Sequence, residues 1–247
     1  MFGARGLLPM SFVYDLTPRF DSVPFLNSGP AAEPILLTDF QRKALEHIGE
    51  RVHARAHAAI YDAGHRADAV FVVIEGVLKS YRKLRSGKRA TSTFLFRHDI
   101  FGLAERGRYL NSVQALTPVT LHRLPLDELI PLIKRDPMLQ FKFLMKVTQG
   151  LRDAQRRAIL IGRRDAVGRL AMFLMMMRQQ PRPAVGNDSD VPLPMSRKDI
   201  ASFLSLTGES VSRAARGLQR RGLVVFESRH LARILDLSSL EKLAAAV

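Results

Sequence analysis

The chain has 247 residues, 47% of them hydrophobic, and its 38 lysines and arginines outnumber its 23 acidic residues, for a formal net charge of +15. It contains no tryptophan and no cysteine. The absence of cysteine excludes disulfides, thiolate nucleophiles, cysteine-ligated zinc and cysteine-ligated iron–sulfur clusters. This length and hydrophobic content predict two folded domains. The positive charge predicts a polyanionic partner, for which we favour nucleic acid over an anionic membrane surface.

The sequence shows neither a membrane-spanning segment nor a secretory signal. The longest uninterrupted apolar run, residues 170–177, is much shorter than the ~20 residues that cross a bilayer. The first residues contain a proline break and no small-residue cleavage pattern, so we expect a cytoplasmic protein without a membrane partner. Residues 1–35 show no periodicity and several prolines, which predicts an extended N-terminal arm.

The first predicted domain, residues 36–135, combines a helix with an antiparallel β-roll. Thr38 and Gln41 have the spacing of a capping box, which together with helical periodicity predicts a helix over residues 39–52. From residue 58 to residue 124, short runs rich in β-branched and aromatic residues alternate with glycine turns, at Glu75-Gly76 and at the hairpin tip Arg85-Ser86-Gly87-Lys88. This pattern predicts a β-roll or barrel whose strands pair as successive hairpins.

A long helix is predicted from the N-cap Asp136-Pro137 to about Gly162. It carries two apolar stripes, one through Phe141, Leu144, Leu151 and Ala158 and the other through Phe143, Val147, Ala154 and Ile161. Because the β-roll can cover one stripe, we expect the other to pack against the same helix of a second copy. The sequence therefore predicts a homodimer with a dimerisation helix at residues 136–164.

The last predicted domain spans residues 165–247. It begins with a helix near Asp165, which is followed by a loop-like run at residues 179–190. It ends with two strands around a turn at Arg229-His230 and a short helix that Ser238 and Glu241 would cap.

Between these elements, residues 195–223 have the pattern of a helix-turn-helix. Ser196 and Asp199 have capping-box spacing at the start of the first helix, and Leu206-Thr207-Gly208 predicts a tight turn. The second helix would bury Val211, Ala215 and Leu218 and expose Glu209, Ser212, Arg213, Arg216, Gln219 and Arg220. A helix with such a polar face suits the DNA major groove, and the strands that follow make the motif a winged helix.

From about residue 36 to its end, the chain resembles the bacterial CRP/FNR transcription factors in the order of its elements: β-roll, long helix, the helix RDAVGRLAMFL and winged helix. Glu209, Ser212 and Arg213 have the E-x-x-S-R spacing of the FNR and FixK-like branches, whereas the cyclic-AMP branch has an arginine where this chain has Gly208. The resemblance implies a transcription regulator, an activator, that binds double-stranded DNA at TTGAT and ATCAA half-sites of an inverted repeat. It also implies RNA polymerase as a partner.

Within this resemblance, several exposed side chains have expected roles. We predict that the base-contacting residues are Glu209, Ser212 and Arg213, since an arginine can fork onto guanine and a carboxylate can accept from the cytosine amino group. We predict that the wing and four further residues contact phosphates: Ser196, Arg197, Thr207 and Arg216. This function is binding, and we expect no catalytic residue.

Two departures from the family bear on cofactors. Relatives that bind cyclic nucleotides carry a Gly-Glu pair and an Arg-Ser or Arg-Thr pair, where this chain has Gly102-Leu103 and Asn111-Ser112. We therefore expect no cyclic nucleotide, with Arg106 and Arg108 as the alternative anchors. FNR holds its iron–sulfur cluster with cysteines, so no such cluster is expected here. The FGL run at residues 101–103 fits the FixK-like branch.

Several groups have both a functional and a structural interpretation. His53, His57 and His65 are a candidate metal or haem site, but no carboxylate completes a set, and we favour surface histidines. The methionines at positions 172 and 175–177 are a candidate oxidation sensor, and we favour a methionine-filled core. For the cations between residues 82 and 89, we favour a solvated hairpin tip over a nucleic-acid patch.

Two alternatives stay open. Arg163, Arg164 and Arg169 either contact DNA phosphates or pair across the domain junction. A second hypothesis for function keeps the fold but makes it a sensor that is gated by haem, a nucleotide or a small acid in the β-roll. A cupin-like enzyme would need a convergent set of histidine and carboxylate ligands, which the spacing does not suggest.

Overall fold

The computed structural model describes residues 38–163, 165–180 and 187–245, so the predicted N-terminal arm at residues 1–35 lies outside the described residues. The buried apolar side chains form a cluster inside the β-roll, a second between the roll and its neighbouring helices, and a third in the C-terminal part. None of the helices in these ranges is long and apolar enough to cross a membrane.

The N-terminal part is a roll of two antiparallel sheets. One sheet contains, in this order, β1 (Glu50–Ala54), β10 (Val119–Pro125), β3 (Ala69–Glu75) and β6 (Ile100–Phe101). The other contains, in this order, β2 (Ala59–Tyr61), β9 (Ser112–Ala115), β4 (Leu78–Lys83) and β5 (Arg89–Leu95). A separate pair is formed by β7 (Ala104–Glu105) and β8 (Arg108–Tyr109).

The β-roll is confirmed, but its strands do not pair as successive hairpins. Strands β3 and β4 are consecutive across the turn at Gly76, yet they lie in different sheets, and β3 pairs with β10, with Val73 opposite Leu121. The predicted hairpin around Gly87 does form, between β4 and β5. Because the chain passes from one sheet to the other after β3, the consecutive strands β3 and β4 lie on opposite sides of the β-roll core.

The first helix, α1, spans Asp39–Ile48 and has the predicted capping box of Thr38 and Gln41. Its predicted continuation to residue 52 is wrong, because residues 50–54 form β1, where Val52 lies opposite Leu121 of β10. Val52 packs against the β-roll core. Helical periodicity alone cannot distinguish such a strand residue from a buried residue of a helix.

Two helices follow the roll, α2 (Leu126–Arg135) and α3 (Pro137–Gly162). Helix α3 begins as predicted, since the Asp136 side chain accepts the N–H of Leu139 at 2.9 Å. Helix α2 was not predicted as a separate element; its Leu129 packs with Leu139 and Phe143 of α3. This contact attaches the start of the long helix to the roll.

The C-terminal part contains α4 (Ala166–Arg178), α5 (Arg197–Phe203), α6 (Gly208–Arg220), α7 (Leu237–Ala245) and a sheet of β11 (Asp190–Pro192), β13 (Leu231–Ile234) and β12 (Val224–Phe226), in that strand order. Strand β11 lies at the end of the run that was predicted as a loop. The predicted capping box of Ser238 and Glu241 is wrong, because Asp236 caps α7 by accepting the N–H of Ser239 at 3.0 Å.

The methionines of α4 belong to the C-terminal core. Met172, Met175 and Met177 are buried among leucine and phenylalanine side chains, and Met176 packs against the same cluster. The methionine-filled core is therefore confirmed as their structural role.

We expect Gly76 to tolerate no side chain. Its φ is +89°, and a Cβ would collide with the carbonyl oxygen of Pro118 and lie 2.7 Å from Cγ1 of Val119. Gly76→Ala should lower the free energy of unfolding by about 3 kcal/mol or more, measured by urea denaturation. Gly87→Ala is the matched control, because its φ is +74° but nothing lies within 4 Å of the added carbon. It should cost about 1 kcal/mol, and equal losses would contradict the steric argument.

Candidate nucleic-acid interface

Helices α5 and α6 form the predicted helix-turn-helix, and each begins at a side-chain cap. The Ser196 hydroxyl accepts the N–H of Asp199 at 3.1 Å, and the Asp199 carboxylate accepts from Ser196 in return. The Thr207 hydroxyl accepts the N–H of Ser210 at 3.1 Å. The capping box at Ser196 is thus confirmed, and both caps place a hydroxyl at the exposed start of a helix.

The turn between the helices differs slightly from the predicted one. The chain reverses at Ser205, whose φ is +53°, and residues 204–207 connect α5 to α6, so Gly208 already belongs to the helix. Helix α6 then buries one row of residues, Val211, Ala214, Ala215 and Leu218. The small alanines allow α6 to approach its neighbours closely, which leaves its opposite face to solvent.

That opposite face begins with an ion pair. Glu209 and Arg213 lie one helical turn apart, 3.4 Å separates their charged atoms, and their side chains are 75% and 64% exposed. An exposed ion pair of this kind contributes little to stability. Breaking it so that both side chains can contact DNA bases therefore costs little free energy.

Ser212, on the same face, is linked to α5. Its hydroxyl donates to the carbonyl of Gly208 at 2.9 Å and accepts from the Arg197 guanidinium at 3.2 Å. The structure thus brings Arg197, which we assigned to phosphate contacts, next to a residue that we assigned to bases. Arg216 is exposed on α6.

The wing is held at its base by ion pairs. Arg233 of β13 lies 2.7 Å from Asp190 of β11 and 2.9 Å from Glu227. These contacts tie the three strands together, and they leave Arg229 and His230 exposed at the tip.

Two of the three junction arginines bond to protein carbonyl groups. Arg163 is buried and donates to the carbonyl of Ala244 at 2.7 Å. Arg169 donates to the carbonyl of Arg163, across the junction, at 2.7 Å and to the carbonyl of Leu204 at 3.0 Å. Of the two open alternatives, these arginines therefore take the junction role, while Arg164 lies outside the described residues.

The helix-turn-helix also docks on β4 and on β5, an edge strand of the second sheet. Lys79 Nζ lies 2.6 Å from Asp199 Oδ1. The Ser202 hydroxyl accepts the N–H of Thr91 at 2.9 Å and donates to the carbonyl of Arg89 at 3.1 Å. Lys79 and Ser202 could not be identified from the sequence, because their partners are more than a hundred positions away and no local motif marks them.

Aromatic rings fill the interior of the β-roll. Tyr61 stacks on Tyr109 with ring centroids 3.8 Å apart, and Phe71 stacks on Phe101 at 5.2 Å. The Tyr109 hydroxyl donates to the carbonyl of Ala69 at 3.0 Å. Burial is the main cause that raises the pKa of Tyr61 and that of Tyr109 further above the ordinary tyrosine value, which already keeps a hydroxyl neutral near pH 7.

The loop that would hold a cyclic phosphate has a different set of contacts. Leu103 is exposed, and the Ser112 hydroxyl accepts the N–H of Ala63 at 3.0 Å. Arg108, one of the two alternative anchors, donates to the carbonyl of Gly64 at 2.7 Å. The other, Arg106, is exposed.

The three histidines are exposed and lie outside any helix. His53 is in β1, where its Nδ1 lies 3.1 Å from Oγ1 of Thr120, and His57 and His65 follow in turns. Within the described ranges, no group of three or more histidine, aspartate or glutamate side chains could hold a metal ion. The cations of the hairpin tip are exposed too: Arg82, Lys83, Arg85, Lys88 and Arg89.

Two family models match the chain. A cyclic nucleotide-binding domain matches residues 51–136, and a Crp-like helix-turn-helix domain matches residues 168–243. These ranges coincide with the β-roll and with the winged helix.

Among curated relatives, the nitrogen fixation regulation protein FixK of Bradyrhizobium diazoefficiens is 32% identical over 204 residues, which is 83% of this chain and 86% of the relative. The transcriptional activatory protein AadR of Rhodopseudomonas palustris is 32% identical over 201 residues, 81% of this chain and 84% of the relative. Among solved structures, FixK2 from Bradyrhizobium japonicum matches with a TM-score of 0.73 at 28% identity, covering 81% of this chain and 99% of that one.

The Lys79–Asp199 contact should make stability depend on pH. Burial by itself raises the pKa of Asp199, but hydrogen bonds from Lys79 and Ser196 outweigh it and hold the pKa below its ordinary value. A lowered pKa in the folded state stabilises above the unfolded value of ~4, and this stability is lost as the pH falls through the folded value. Asp199→Asn should therefore cost about 1 to 3 kcal/mol near neutral pH.

The difference between wild type and Asp199→Asn should shrink as the pH is lowered from about 5 to about 3, measured by urea denaturation. Glu241→Gln, at an exposed position in the same part of the chain, is the control. A difference that does not change with pH would contradict the assignment.

Proposed function

The chain belongs to the CRP/FNR family of transcription regulators and to its FixK-like branch, and from this premise we propose that it binds, as a homodimer, an inverted repeat of TTGAT and ATCAA half-sites without a cyclic nucleotide or iron–sulfur cluster. As a member of this family it is a DNA-binding regulator and not an enzyme. We further propose that it acts in the cytoplasm as an activator, with RNA polymerase as a partner.

The observation that carries the proposal is the exposed face of α6. Arg213 and Glu209 lie 3.4 Å apart with most of their surface in solvent. In the major groove, an arginine donates to O6 and N7 of guanine and a carboxylate accepts from N4 of cytosine. The two side chains therefore match the G·C pair of a TTGAT half-site, and Ser212 beside them meets a neighbouring base.

The proposed phosphate contacts surround this face. The Ser196 and Thr207 hydroxyls lie at the exposed starts of α5 and α6, while Arg197 and Arg216 supply positive charge nearby. Contacts of this type fix the register of a protein on DNA without specifying sequence. The exposed Arg229 at the wing tip adds a further cation.

The apolar face of α3 supports the homodimer. Phe141, Leu144, Val147 and Leu151 are 48%, 60%, 44% and 60% exposed, whereas Phe143 is buried against the roll. Leu144 and Leu151 are seven positions apart, the spacing at which two helices pack along a shared seam. A second copy of α3 would cover this face across a two-fold axis, which places the two α6 helices on the same side of a DNA duplex.

The aromatic packing inside the β-roll supports binding without a ligand. The stacked pairs Tyr61–Tyr109 and Phe71–Phe101 occupy the interior of the roll. A nucleotide or haem there would have to displace rings that are packed on one another, which costs both their apolar burial and their stacking energy.

The direct test is fluorescence anisotropy with purified protein and no added ligand. The protein is titrated onto a labelled TTGAT-N4-ATCAA duplex and onto a scrambled duplex of the same composition, at two salt concentrations because counterion release contributes to the affinity. We expect a preference of about 10³-fold for the palindrome. Equal and steeply salt-dependent binding to both duplexes would overturn the proposal.

Two arginine variants should separate base contacts from phosphate contacts. Arg213→Ala should lose about 1 to 3 kcal/mol of discrimination between cognate and scrambled duplexes, because it removes the guanine contact. Arg197→Ala should weaken both duplexes alike and reduce the salt slope by about 1. Competition titrations measure both, and the base assignment is wrong if Arg213→Ala weakens the two duplexes equally.

A charge on the exposed face of α3 should separate the protomers. Leu151→Glu should weaken dimerisation by at least about 100-fold, because it would bury a carboxylate at the seam, and analytical ultracentrifugation measures the change. Leu235→Glu is the matched control, since Leu235 is 59% exposed outside α3 against 60% for Leu151. If both variants sediment like the wild type, the dimer does not use this face.

A further inference from the structure

One guanidinium, that of Arg157, connects three parts of the molecule. Arg157 lies in the last two turns of α3. Its Nε donates to the carbonyl of Phe203, the last residue of α5, at 3.2 Å, and a terminal nitrogen donates to the carbonyl of Thr91 on β5 at 3.0 Å. One side chain of the long helix therefore bonds to the helix-turn-helix and to the β-roll at once.

Both acceptors are carbonyl groups that regular structure leaves available. The last carbonyls of a helix have no partner within the helix, and the edge strand of a sheet has one unpaired side. Phe203 ends α5, and β5 is one of the two edge strands of its sheet. Because an arginine presents its donors in a rigid fork, the two bonds fix the direction between α5 and β5 as well as their distance.

The aromatic ring of Phe203 strengthens this connection. The Arg157 guanidinium carbon lies 5.0 Å from the centroid of the Phe203 ring. The same ring lies 5.2 Å from Phe94 of β5 and 5.7 Å from Phe173 of α4. The end of α5 is thus held by a cation on one side and by a packed aromatic cluster on the other.

This arrangement bears on how two half-sites are spaced. In the proposed dimer, α3 lies at the two-fold axis and α6 lies in the major groove, so the contacts between them determine the separation of the two recognition helices. Each base pair added between the half-sites moves them ~3.4 Å apart and rotates one against the other by about 35°. A rigid connection between α3 and α6 allows tight binding at one half-site spacing, whereas a loose connection allows it at several.

We propose that Arg157 is a positioning residue for DNA binding, which fixes the helix-turn-helix relative to α3 and thereby selects the spacing between the two half-sites. It contacts no base or phosphate itself. The inference rests on the proposed function, because it requires a dimer bound to an inverted repeat.

The experiment compares Arg157→Gln with Arg156→Gln as the matched control. Both variants remove one positive charge from adjacent positions of α3, but the ion pair of Arg156 is with Asp153 of the same helix, at 3.1 Å. Anisotropy titrations use palindromes whose spacer is N4, one base pair shorter, or one and two base pairs longer. A second pair of duplexes carries a single intact or scrambled half-site.

We expect the wild type and Arg156→Gln to favour one spacing by at least about 10-fold. Arg157→Gln should reduce that preference to about 3-fold or less, while the ratio between intact and scrambled single half-sites stays at the wild-type level. A variant that was merely less stable would bind every duplex more weakly by the same factor and keep both ratios, so this split is specific to a positioning role.

Three outcomes would overturn the inference. Arg157→Gln could keep the spacing preference of the wild type, or it could lose the half-site ratio along with the spacing preference. If circular dichroism shows that Arg157→Gln does not fold, Arg157→Lys replaces it in the experiment. Lysine keeps the charge, but one ammonium cannot replace the two donor nitrogens of the guanidinium. The third outcome is an unchanged spacing preference in Arg157→Lys. A wild type that fails to prefer the palindrome overturns the proposed function itself, which distinguishes that failure from the others.

Discussion

The covering of one strand edge determines how the two halves of this chain fit together. Strand β5 ends its sheet, and an uncovered edge presents backbone groups that must find partners or pair with another chain. Here the N–H of Thr91 is bonded to Ser202 and its carbonyl to Arg157. Because hydrogen bonds are directional, this cover specifies an orientation, whereas apolar contact alone would allow the two parts to slide. The face of α6 that carries Arg213 is left to solvent.

The excess of positive charge divides into two populations that composition cannot separate. Arg157, Arg163 and Arg169 each donate to main-chain carbonyl groups at the junction of the long helix, the roll and the winged helix. Arg213 and Arg216 are exposed on α6. Burying a guanidinium is costly unless its donors are satisfied, so the first population is committed to holding the structure. The second remains available to a polyanion, and we propose that it is part of the positive charge that contacts DNA.

The features that were predictable from the sequence are those that a few neighbouring residues determine. The caps at Thr38, Asp136 and Ser196 each depend on a partner three residues away, and all three are present. The end of α1 was misplaced because the partner of β1 is β10, about 70 positions later, and only pairing reveals that Val52 belongs to a strand. Sheet order and the contacts of Arg157 are nonlocal in the same way, since sequence spacing carries no information about which surfaces meet.

Strand β5 also links the two cores. Side chains alternate between the faces of a strand, so Phe94 points into the C-terminal core while Leu95 points into the β-roll core. In close-packed interiors a displacement on one face cannot be absorbed without moving the other, and a rearrangement inside the roll would therefore reach Phe203 through Phe94. The stacked rings of the roll keep its side of the strand fixed, and Arg157 keeps the other side fixed. We propose that the protein functions without a ligand. This would require both contacts, because together they hold the strand that could otherwise transmit a signal in the position that binds DNA.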